Sequence, residues 1–264
     1  MIALCEGVEI GYDDVGTGMP VAFIHGFPHN RTLWAPQVSA LVDRARCIVP
    51  DLRGFGESSR NGPFTIDRFA DDVALLLRSL GIDRAVIAGL SMGGYVAMAF
   101  WRRHRRMVRA MVLADTRAGI DTEEGRGKRL ALIDMARTRG SGAVADNQIT
   151  GMIGKTTREK QPALIDDVHR MLASASVDGI VGALEAMLGR DDSTTTLPTI
   201  DVPTLVVVGA EDVLTPPKEA ELLQAAIRGS RLEVIEQAGH VSNLERPAAF
   251  NHVLSEFLAA MDYE

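Results

Sequence analysis

Residues 85–99 read AVIAGLSMGGYVAMA, and this stretch decides the fold. Its first six residues are apolar or small and suit a buried strand, whereas the residues after the serine suit a helix. Ser91 stands between the two segments, and Gly89 and Gly93 remove side chains that would collide where the backbone turns sharply. The stretch therefore predicts a strand, a serine displayed at a tight turn, and a helix that begins directly after it.

Strands and helices alternate on both sides of this turn. Short apolar runs over 20–26, 45–54 and 108–115 predict strands, and the spacing of apolar residues predicts a helix over 65–81. Continuous apolar strands of this kind suit a sheet that is covered on both faces. The alternation predicts an α/β protein with a doubly wound, mainly parallel sheet and helices on both sides.

The alternation is interrupted once, after the sixth predicted strand. Residues 117–196 have helical spacing, many methionines and charges, and no clear strand pattern. Strand and helix patterns resume from residue 197 onward. We therefore expect a core formed by residues 1–116 and 197–264, with a helical segment inserted over 117–196.

The composition excludes several classes of protein. The 264 residues carry a formal net charge of −7, which argues against nucleic acid as a partner because nucleic-acid-binding proteins present basic surfaces. No apolar stretch approaches the roughly 20 residues that span a bilayer, and the N-terminus has no secretory signal pattern. We expect a cytoplasmic protein with no membrane partner, and a homo-oligomer is compatible with the sequence.

A serine at such a turn becomes a nucleophile when a base removes its proton and a third group orients that base. His240 follows a predicted strand and precedes the last helix, so it lies at the same edge of the sheet as Ser91. Two aspartates compete for the third position, Asp212 and Asp115, because each ends a predicted strand. The loop that carries Asp212 is nearer in sequence to His240, which favours Asp212.

Charge that develops on the substrate carbonyl oxygen needs hydrogen-bond donors. One predicted donor is the backbone N–H of Met92, the residue after the serine. The second is the N–H of Phe27, in the HGFP turn that follows the third predicted strand. These two donors would form an oxyanion hole.

The motifs HGFP, DLRGFGES, GLSMGG, GAEDVLTPP and AGHVSNLERPAAF occur in this order along the chain. Together they resemble the α/β-hydrolase fold superfamily over nearly the whole chain apart from the inserted segment. The resemblance supports Ser91, Asp212 and His240 as a catalytic triad, with Phe27 and Met92 as the oxyanion donors. It also implies that residues 117–196 form a cap over the active site.

Within that superfamily the motifs look most like 3-oxoadipate enol-lactonases and their esterase relatives. HGFP followed by Trp34 also resembles the cofactor-free haloperoxidase and perhydrolase esterases. The inserted segment departs from the enol-lactonase pattern because it contains no Trp or Phe. For the substrate pocket we expect Trp34 on the acyl side and methionines of the inserted segment around the substrate: Met135, Met152, Met171 and Met187. Arg53 and Arg117 are candidates to bind a substrate carboxylate, and a surface salt bridge explains either arginine equally well.

The sequence thus predicts a serine hydrolase that cleaves small carboxylic esters or lactones through an acyl-enzyme. A C–C bond hydrolase, an amidase or a perhydrolase with the same triad is an alternative, because a fold does not fix the chemistry. A non-catalytic ligand-binding member of the fold is a second alternative. No His, Cys or carboxylate cluster has the spacing of metal ligands, so we expect neither a metal nor an organic cofactor.

Overall fold

A computed structural model describes residues 1–261. Its centre is one eight-stranded sheet in the order β1-β2-β4-β3-β5-β6-β7-β8. The strands are β1 (Ile2–Cys5), β2 (Val8–Val15), β3 (Met19–Ile24), β4 (Ala45–Pro50), β5 (Ala85–Leu90), β6 (Val108–Ala114), β7 (Thr204–Gly209) and β8 (Arg231–Ile235). β1 pairs antiparallel with β2, and β2 pairs antiparallel with β4, whereas every pair from β4 to β8 is parallel. The predicted doubly wound, mainly parallel sheet is confirmed.

Ten α-helices connect and cover these strands among the described residues. They are α1 (Ala35–Leu41), α2 (Ile66–Ser79), α3 (Met92–His104), α4 (Glu123–Met152), α5 (Lys155–Lys160), α6 (Pro162–Ala173), α7 (Val177–Leu188), α8 (Pro217–Ala226), α9 (Ser242–Glu245) and α10 (Pro247–Ala260). Helix α2 shows why the local sequence forms these elements. The Thr65 side chain accepts a hydrogen bond from the N–H of Arg68, which satisfies a free donor of the first turn. The helix ends before Gly81, whose φ of 69° favours glycine.

Alternate residues of each strand face opposite sides of the sheet, so the sheet has a hydrophobic core on each face. In β3, Ala22 and Ile24 face a core that includes residues of α2 and α3, whereas Val21 and Phe23 face a core that includes residues of α1 and α10. All four side chains are fully buried. Burying a side chain of this kind stabilises the fold by about 1.5–3 kcal/mol for the larger residues.

The interruption predicted after the sixth strand is present. Residues 115–203, all of which are described, contain the four helices α4 to α7 and no strand. Helix α4 changes direction at Gly140, whose φ of 80° and ψ of −179° are not helical. Within residues 1–261 no single helix has the length and apolar character needed to cross a membrane, and α6 with α7 meets that test only as a pair bent by 89°.

Candidate active site

Ser91 lies at the turn between β5 and α3 in a conformation that side chains rarely adopt, with φ of 57° and ψ of −116°. The two flanking glycines are required by close approach of the backbone. A Cβ atom on Gly89 would lie 2.1 Å from the carbonyl oxygen of Gly93, and a Cβ on Gly93 would lie 2.2 Å from that of Ile24. The N–H of Ser91 donates to the carbonyl of Ala114 in β6 at 2.9 Å. The turn therefore holds the serine at the carboxyl edge of the sheet, where open α/β folds place their sites.

His240 reaches Ser91 from the loop between β8 and α9. Its Nε2 lies 2.8 Å from Ser91 Oγ, and its Nδ1 lies 2.8 Å from Asp212 Oδ2. The imidazole is buried, with a side chain 3% exposed. The structure thus brings the three residues into one hydrogen-bonded chain, in which the carboxylate fixes which ring nitrogen faces the serine.

Asp212 receives several hydrogen bonds besides the contact with His240. Its Oδ1 accepts the N–H groups of Leu214 and Thr215 at 2.8 and 3.0 Å, and its Oδ2 accepts the Thr215 hydroxyl at 2.7 Å. Burial opposes ionisation of this carboxyl group, but the charge of His240 and these hydrogen bonds outweigh it and lower the pKa of Asp212. The group is therefore held as an anion.

The pKa of His240 is shifted in the opposite direction. Burial disfavours the imidazolium ion, yet the neighbouring Asp212 carboxylate overcompensates, with smaller contributions from Asp115 and Glu245, and the pKa of His240 is raised. A base that gains a proton from a serine hydroxyl needs this support, because the imidazolium forms during the reaction.

Asp115, the competing candidate for the acid, has other partners. Its Oδ1 accepts the N–H of Gly209 at 2.8 Å, and its Oδ2 accepts the hydroxyl of Ser242 at 2.6 Å. Burial and the nearby Asp212 charge raise the pKa of this carboxyl group well above its usual value. Asp212 and not Asp115 contacts the histidine, as the position of the Asp212 loop in the sequence indicated.

The two predicted oxyanion donors lie beside the serine. A Cβ on Gly26 would lie 3.1 Å from Ser91 Cβ, so the turn after β3 touches the nucleophile, and Phe27 lines the same cavity as Ser91. Met92 is the first residue of α3, where helical N–H groups have no partner within the helix. Within residues 1–261 neither the N–H of Phe27 nor that of Met92 has a hydrogen-bond acceptor. Neither N–H is therefore engaged by another backbone group of the described residues.

A cavity of about 350 Å³ opens onto Ser91 and His240. This volume is typical of sites for small molecules. One part of the lining is apolar and comes from the turn after β3, the loop after β7 and the inserted helices: Phe27, Leu132, Met152, Leu184, Met187, Val213 and Leu214. Of the pocket residues expected from the sequence, Met152 and Met187 are at the cavity.

The other three expected pocket residues are elsewhere, so the prediction is corrected for them. Trp34 is fully buried in the core on the face of α1 and α10, where its ring centroid lies 5.0 Å from that of Phe23. Met135 packs against the core on the face of α2 and α3, and Met171 packs against the opposite core. The physical reason is that an apolar side chain packs against the apolar surface that the fold places next to it. Its distance along the chain from the serine turn does not decide whether it reaches the cavity.

The remaining lining is strongly charged. Arg117, Lys128 and Arg129 contribute cationic groups, and Asp121 and Glu124 contribute carboxylates. The sequence had suggested Arg117 as a possible partner of a substrate carboxylate, whereas Lys128 and Arg129 were missed. Both lie near the start of α4, whose sequence has no amphipathic pattern to mark the side that faces the cavity.

Arg53, which the sequence also suggested for a carboxylate, is not at the cavity. It is 2% exposed and forms a two-pronged contact with Asp72 of α2, with distances of 2.9 and 2.7 Å. Within the described part of the chain, no group of three or more His, Cys, Asp and Glu side chains is arranged to hold a metal ion.

Comparison with known proteins shows the family to which this chain belongs. The profile of the alpha/beta hydrolase family matches residues 21–253. A 3-oxoadipate enol-lactonase of Acinetobacter baylyi is 32% identical over 256 residues, which cover 94% of this chain and 92% of that protein. The chain therefore belongs to the alpha/beta hydrolase family.

Two solved structures are similar over nearly their whole lengths. An esterase from Thermogutta terrifontis, solved with malate bound, has a TM-score of 0.93 at 40% identity and covers 96% of this chain and 94% of its own. An enol-lactonase from Burkholderia xenovorans LB400 has a TM-score of 0.91 at 31% identity and covers 98% of this chain and 100% of its own. These relatives support the expected likeness to enol-lactonases and esterases.

Proposed function

We propose that this protein is a serine hydrolase that cleaves small carboxylic esters or lactones through an acyl-enzyme. The observation that carries the proposal is the chain of two 2.8 Å contacts from Ser91 Oγ through His240 to Asp212, at a cavity of about 350 Å³. The names of the enol-lactonase and esterase relatives support ester and lactone substrates.

In the first half of the reaction, His240 Nε2 removes the hydroxyl proton as Ser91 Oγ attacks the carbonyl carbon. The carbonyl oxygen becomes an oxyanion and accepts the N–H groups of Phe27 and Met92, which have no other acceptor within residues 1–261. Asp212 stabilises the imidazolium that forms. His240 then donates its proton to the leaving alcohol oxygen, and the ester bond breaks.

In the second half, His240 removes a proton from a water molecule, and the resulting hydroxide attacks the acyl-enzyme carbonyl. The same two N–H groups stabilise the second oxyanion, and the proton returns from His240 to Ser91 Oγ as the acid leaves. These steps need no metal or organic cofactor. A cytoplasmic location stays a prediction from the sequence, which is also compatible with a homo-oligomer.

Residues 117–196 are part of this proposal as a cap on the core formed by 1–116 and 197–264. Nine residues of helices α4 and α7 line the cavity: Glu124, Gly125, Lys128, Arg129, Leu132, Gln148, Met152, Leu184 and Met187. A substrate bound at Ser91 would therefore be enclosed by the inserted helices on one side and by the sheet edge on the other.

The test is hydrolysis of a panel of p-nitrophenyl esters and simple lactones by the wild type and by Ser91→Ala. We expect turnover of short esters or lactones by the wild type and a loss of at least about 10³-fold in kcat for the variant, because only the oxyanion donors and binding would remain. An exposed serine of α1, changed as Ser39→Ala, serves as the control and should leave kcat unchanged.

Other outcomes would favour other functions. Turnover of carbon–carbon, amide or peracid substrates without turnover of esters would favour a C–C hydrolase, an amidase or a perhydrolase that uses the same three residues. No turnover together with an unreactive Ser91 would favour a ligand-binding role. Full activity of Ser91→Ala would contradict the assignment of the nucleophile.

A narrower candidate for the substrate is an ester or lactone that carries a carboxylate at a distance from the reacting carbonyl group. Three guanidinium groups, those of Arg117, Arg129 and Arg190, contact the single carboxylate of Asp121, so the cluster keeps a positive charge. Arg117 and Arg129 line the cavity, and the Arg117 Nε has no partner within residues 1–261. The malate bound in the Thermogutta terrifontis esterase is a dicarboxylate, which supports the same idea.

This candidate is tested by comparing p-nitrophenyl pentanoate with mono-p-nitrophenyl adipate. For Arg117→Met we expect kcat/KM to fall roughly tenfold on the acidic ester and to change by less than about twofold on the neutral one. Arg139→Met, an exposed arginine of the same inserted helices, is the matched control. Equal losses on both esters would assign Arg117 a structural role, and no loss on either would contradict the candidate.

A further inference from the structure

The segment that joins α4 to α5, Met152–Thr156, lies directly against the two loops that carry Asp212 and His240. We call it the junction segment. The N–H of His240 itself donates to the carbonyl of Met152 at 2.9 Å, and Met152 lines the cavity. One residue of the inserted segment is therefore bonded to the histidine backbone and also forms part of the cavity wall.

Glu245 makes a second connection between the junction segment and the histidine loop. This side chain on α9 is 1% exposed. Its Oε2 accepts the N–H of Gly154 at 2.9 Å, and its Oε1 accepts the N–H of Gly239 at 2.8 Å. Because Gly239 directly precedes His240, one buried carboxyl group joins the junction segment to the backbone of the histidine loop.

Glu211 makes the corresponding connection to the aspartate loop. Its Oε2 accepts the N–H of Thr156 at 2.7 Å, and its Oε1 accepts the hydroxyl of the same threonine. The N–H of Glu211 donates to the carbonyl of Ala238 at 2.7 Å, so the two loops are also bonded to each other. Glu211 directly precedes Asp212, as Gly239 precedes His240.

The backbones at this contact approach too closely for side chains. A Cβ on Gly239 would lie 2.3 Å from the nitrogen of Gly154, and a Cβ on Gly154 would lie 2.7 Å from the nitrogen of Gly239. Apolar side chains cannot fill such a contact, so its geometry depends on the hydrogen bonds that the two glutamates accept.

We propose that Glu211 and Glu245 are positioning residues that hold the junction segment, and with it the cavity wall at Met152, in register with the loops carrying Asp212 and His240. The inference rests on the proposed function for its kinetic consequences. Neither glutamate is among the residues that line the cavity, and each acts through the backbone on each side.

The two positions differ in what a glutamine could replace. At 211, an amide oxygen can accept the Thr156 N–H while the amide nitrogen donates to the threonine hydroxyl, so both contacts survive. At 245, both carboxyl oxygens accept N–H donors, so the amide nitrogen of a glutamine would face one of these two N–H groups and lose that hydrogen bond. Glutamine should therefore substitute well for Glu211 and poorly for Glu245.

The experiment compares Glu211→Ala, Glu211→Gln and Glu245→Gln with the wild type. Glu236→Gln is the matched control, because Glu236 is an exposed glutamate four residues before His240. The measurements are kcat and KM for p-nitrophenyl acetate and p-nitrophenyl hexanoate, the rate of Ser91 labelling by a fluorophosphonate, and amide hydrogen exchange of Gly154, Thr156 and Gly239.

For Glu245→Gln we expect kcat to fall about tenfold on both esters, because the histidine loop loses a hydrogen bond. We also expect amide hydrogen exchange at Gly154 or Gly239 to accelerate at least about tenfold. For Glu211→Ala we expect KM for the hexanoate to rise more than KM for the acetate, since the longer acyl group reaches the wall at Met152. For Glu211→Gln we expect KM for the hexanoate to return most of the way from the value of Glu211→Ala to that of the wild type.

The inference is overturned if Glu245→Gln matches Glu236→Gln in both kinetic constants and in exchange while Ser91 still reacts with the probe. It is also overturned if Glu211→Ala changes KM equally for both esters and leaves exchange at Thr156 unchanged. If the wild type neither hydrolyses esters nor reacts at Ser91, the proposed function fails. The exchange rates then decide the positioning role by themselves.

Discussion

Asp212 and His240 support each other's charged form, although burial opposes both. The pKa of the Asp212 carboxyl group is lowered and that of the His240 imidazole is raised, and in each case the partner's charge overcomes the cost of burial. In contrast, burial, together with the charges of His25 and His240, lowers the pKa of His29, beside the Phe27 turn, to about 3. Of these buried histidines, the one that contacts a carboxylate is the one suited to act as a base near neutral pH.

A pH profile tests this arrangement. Only neutral His240 can accept the serine proton, so kcat/KM should fall as His240 becomes protonated at low pH. Because the pKa of His240 is raised, we expect the midpoint of this fall at a pH above the ordinary pKa of histidine. For Asp212→Asn we expect a loss of about 10⁴-fold in kcat. We also expect the residual activity to decline at a lower pH than in the wild type, because removing the carboxylate lowers the pKa of His240.

Asp83→Asn, in an exposed turn, is the control and should reproduce the wild-type profile. A profile of Asp212→Asn that keeps the wild-type midpoint would show that Asp212 does not set the pKa of His240. A shift toward higher pH would contradict the sign of the proposed electrostatic effect.

The positions of the site residues could be predicted from the sequence where they depend on a local turn. Ser91, Asp212 and His240 each lie in the turn or loop that follows a strand, and the parallel strands bring these loops to one edge of the sheet. Trp34 could not be placed in this way. It follows the oxyanion loop closely in sequence, yet its ring packs between Phe23 and Phe250, because a large apolar side chain gains more from a core.

At the scale of elements, the inserted helices are the part of the chain in which local sequence is least decisive. Helix α4 contains Gly125, Gly127, Gly140, Gly142 and Gly151, and glycine disfavours a helix interior. Only at Gly140, where φ is positive and the helix changes direction, does the conformation itself favour glycine.

Gly127 is therefore a position at which the helix can be stabilised. It lies inside α4 and is exposed, and a Cβ added there has nothing within 4 Å. For Gly127→Ala we expect the free energy of unfolding to rise by about 0.5–1 kcal/mol. The thermal unfolding midpoint should rise by about 1–3 °C.

Gly89→Ala is the opposing comparison, since the added Cβ would lie 2.1 Å from a backbone oxygen. We expect a destabilisation of about 3 kcal/mol or more, measured by urea unfolding, because neither backbone segment can move without disturbing the serine turn. Equal effects of the two substitutions would contradict this account of the turn.

At the scale of the whole molecule, the inserted segment is joined to the core by buried polar contacts. Glu245 and Glu211 hold one end of α5, and Arg190, 9% exposed, lies over the ring of Tyr95 of the core at 4.4 Å and is paired with Asp121 within the inserted segment. Breaking such a buried pair by removing one partner costs about 3–5 kcal/mol, whereas replacing both with apolar groups costs little. These contacts therefore favour one arrangement of the helices around the cavity over other arrangements that would bury the same amount of apolar surface.

The amino-acid sequence by itself determined the order of strands and helices, the helical insertion after β6, the serine turn and the identities of the three residues in the hydrogen-bonded chain. All of these follow from periodicity, turn chemistry and the side chains present within short stretches. Only the tertiary structure decided which methionines reach the cavity, that Trp34 lies in a core, and that Glu211 and Glu245 connect the insertion to the site. Those outcomes depend on contacts between distant residues, such as Gly154 with Glu245, 91 positions apart, and no local pattern records which surfaces will meet.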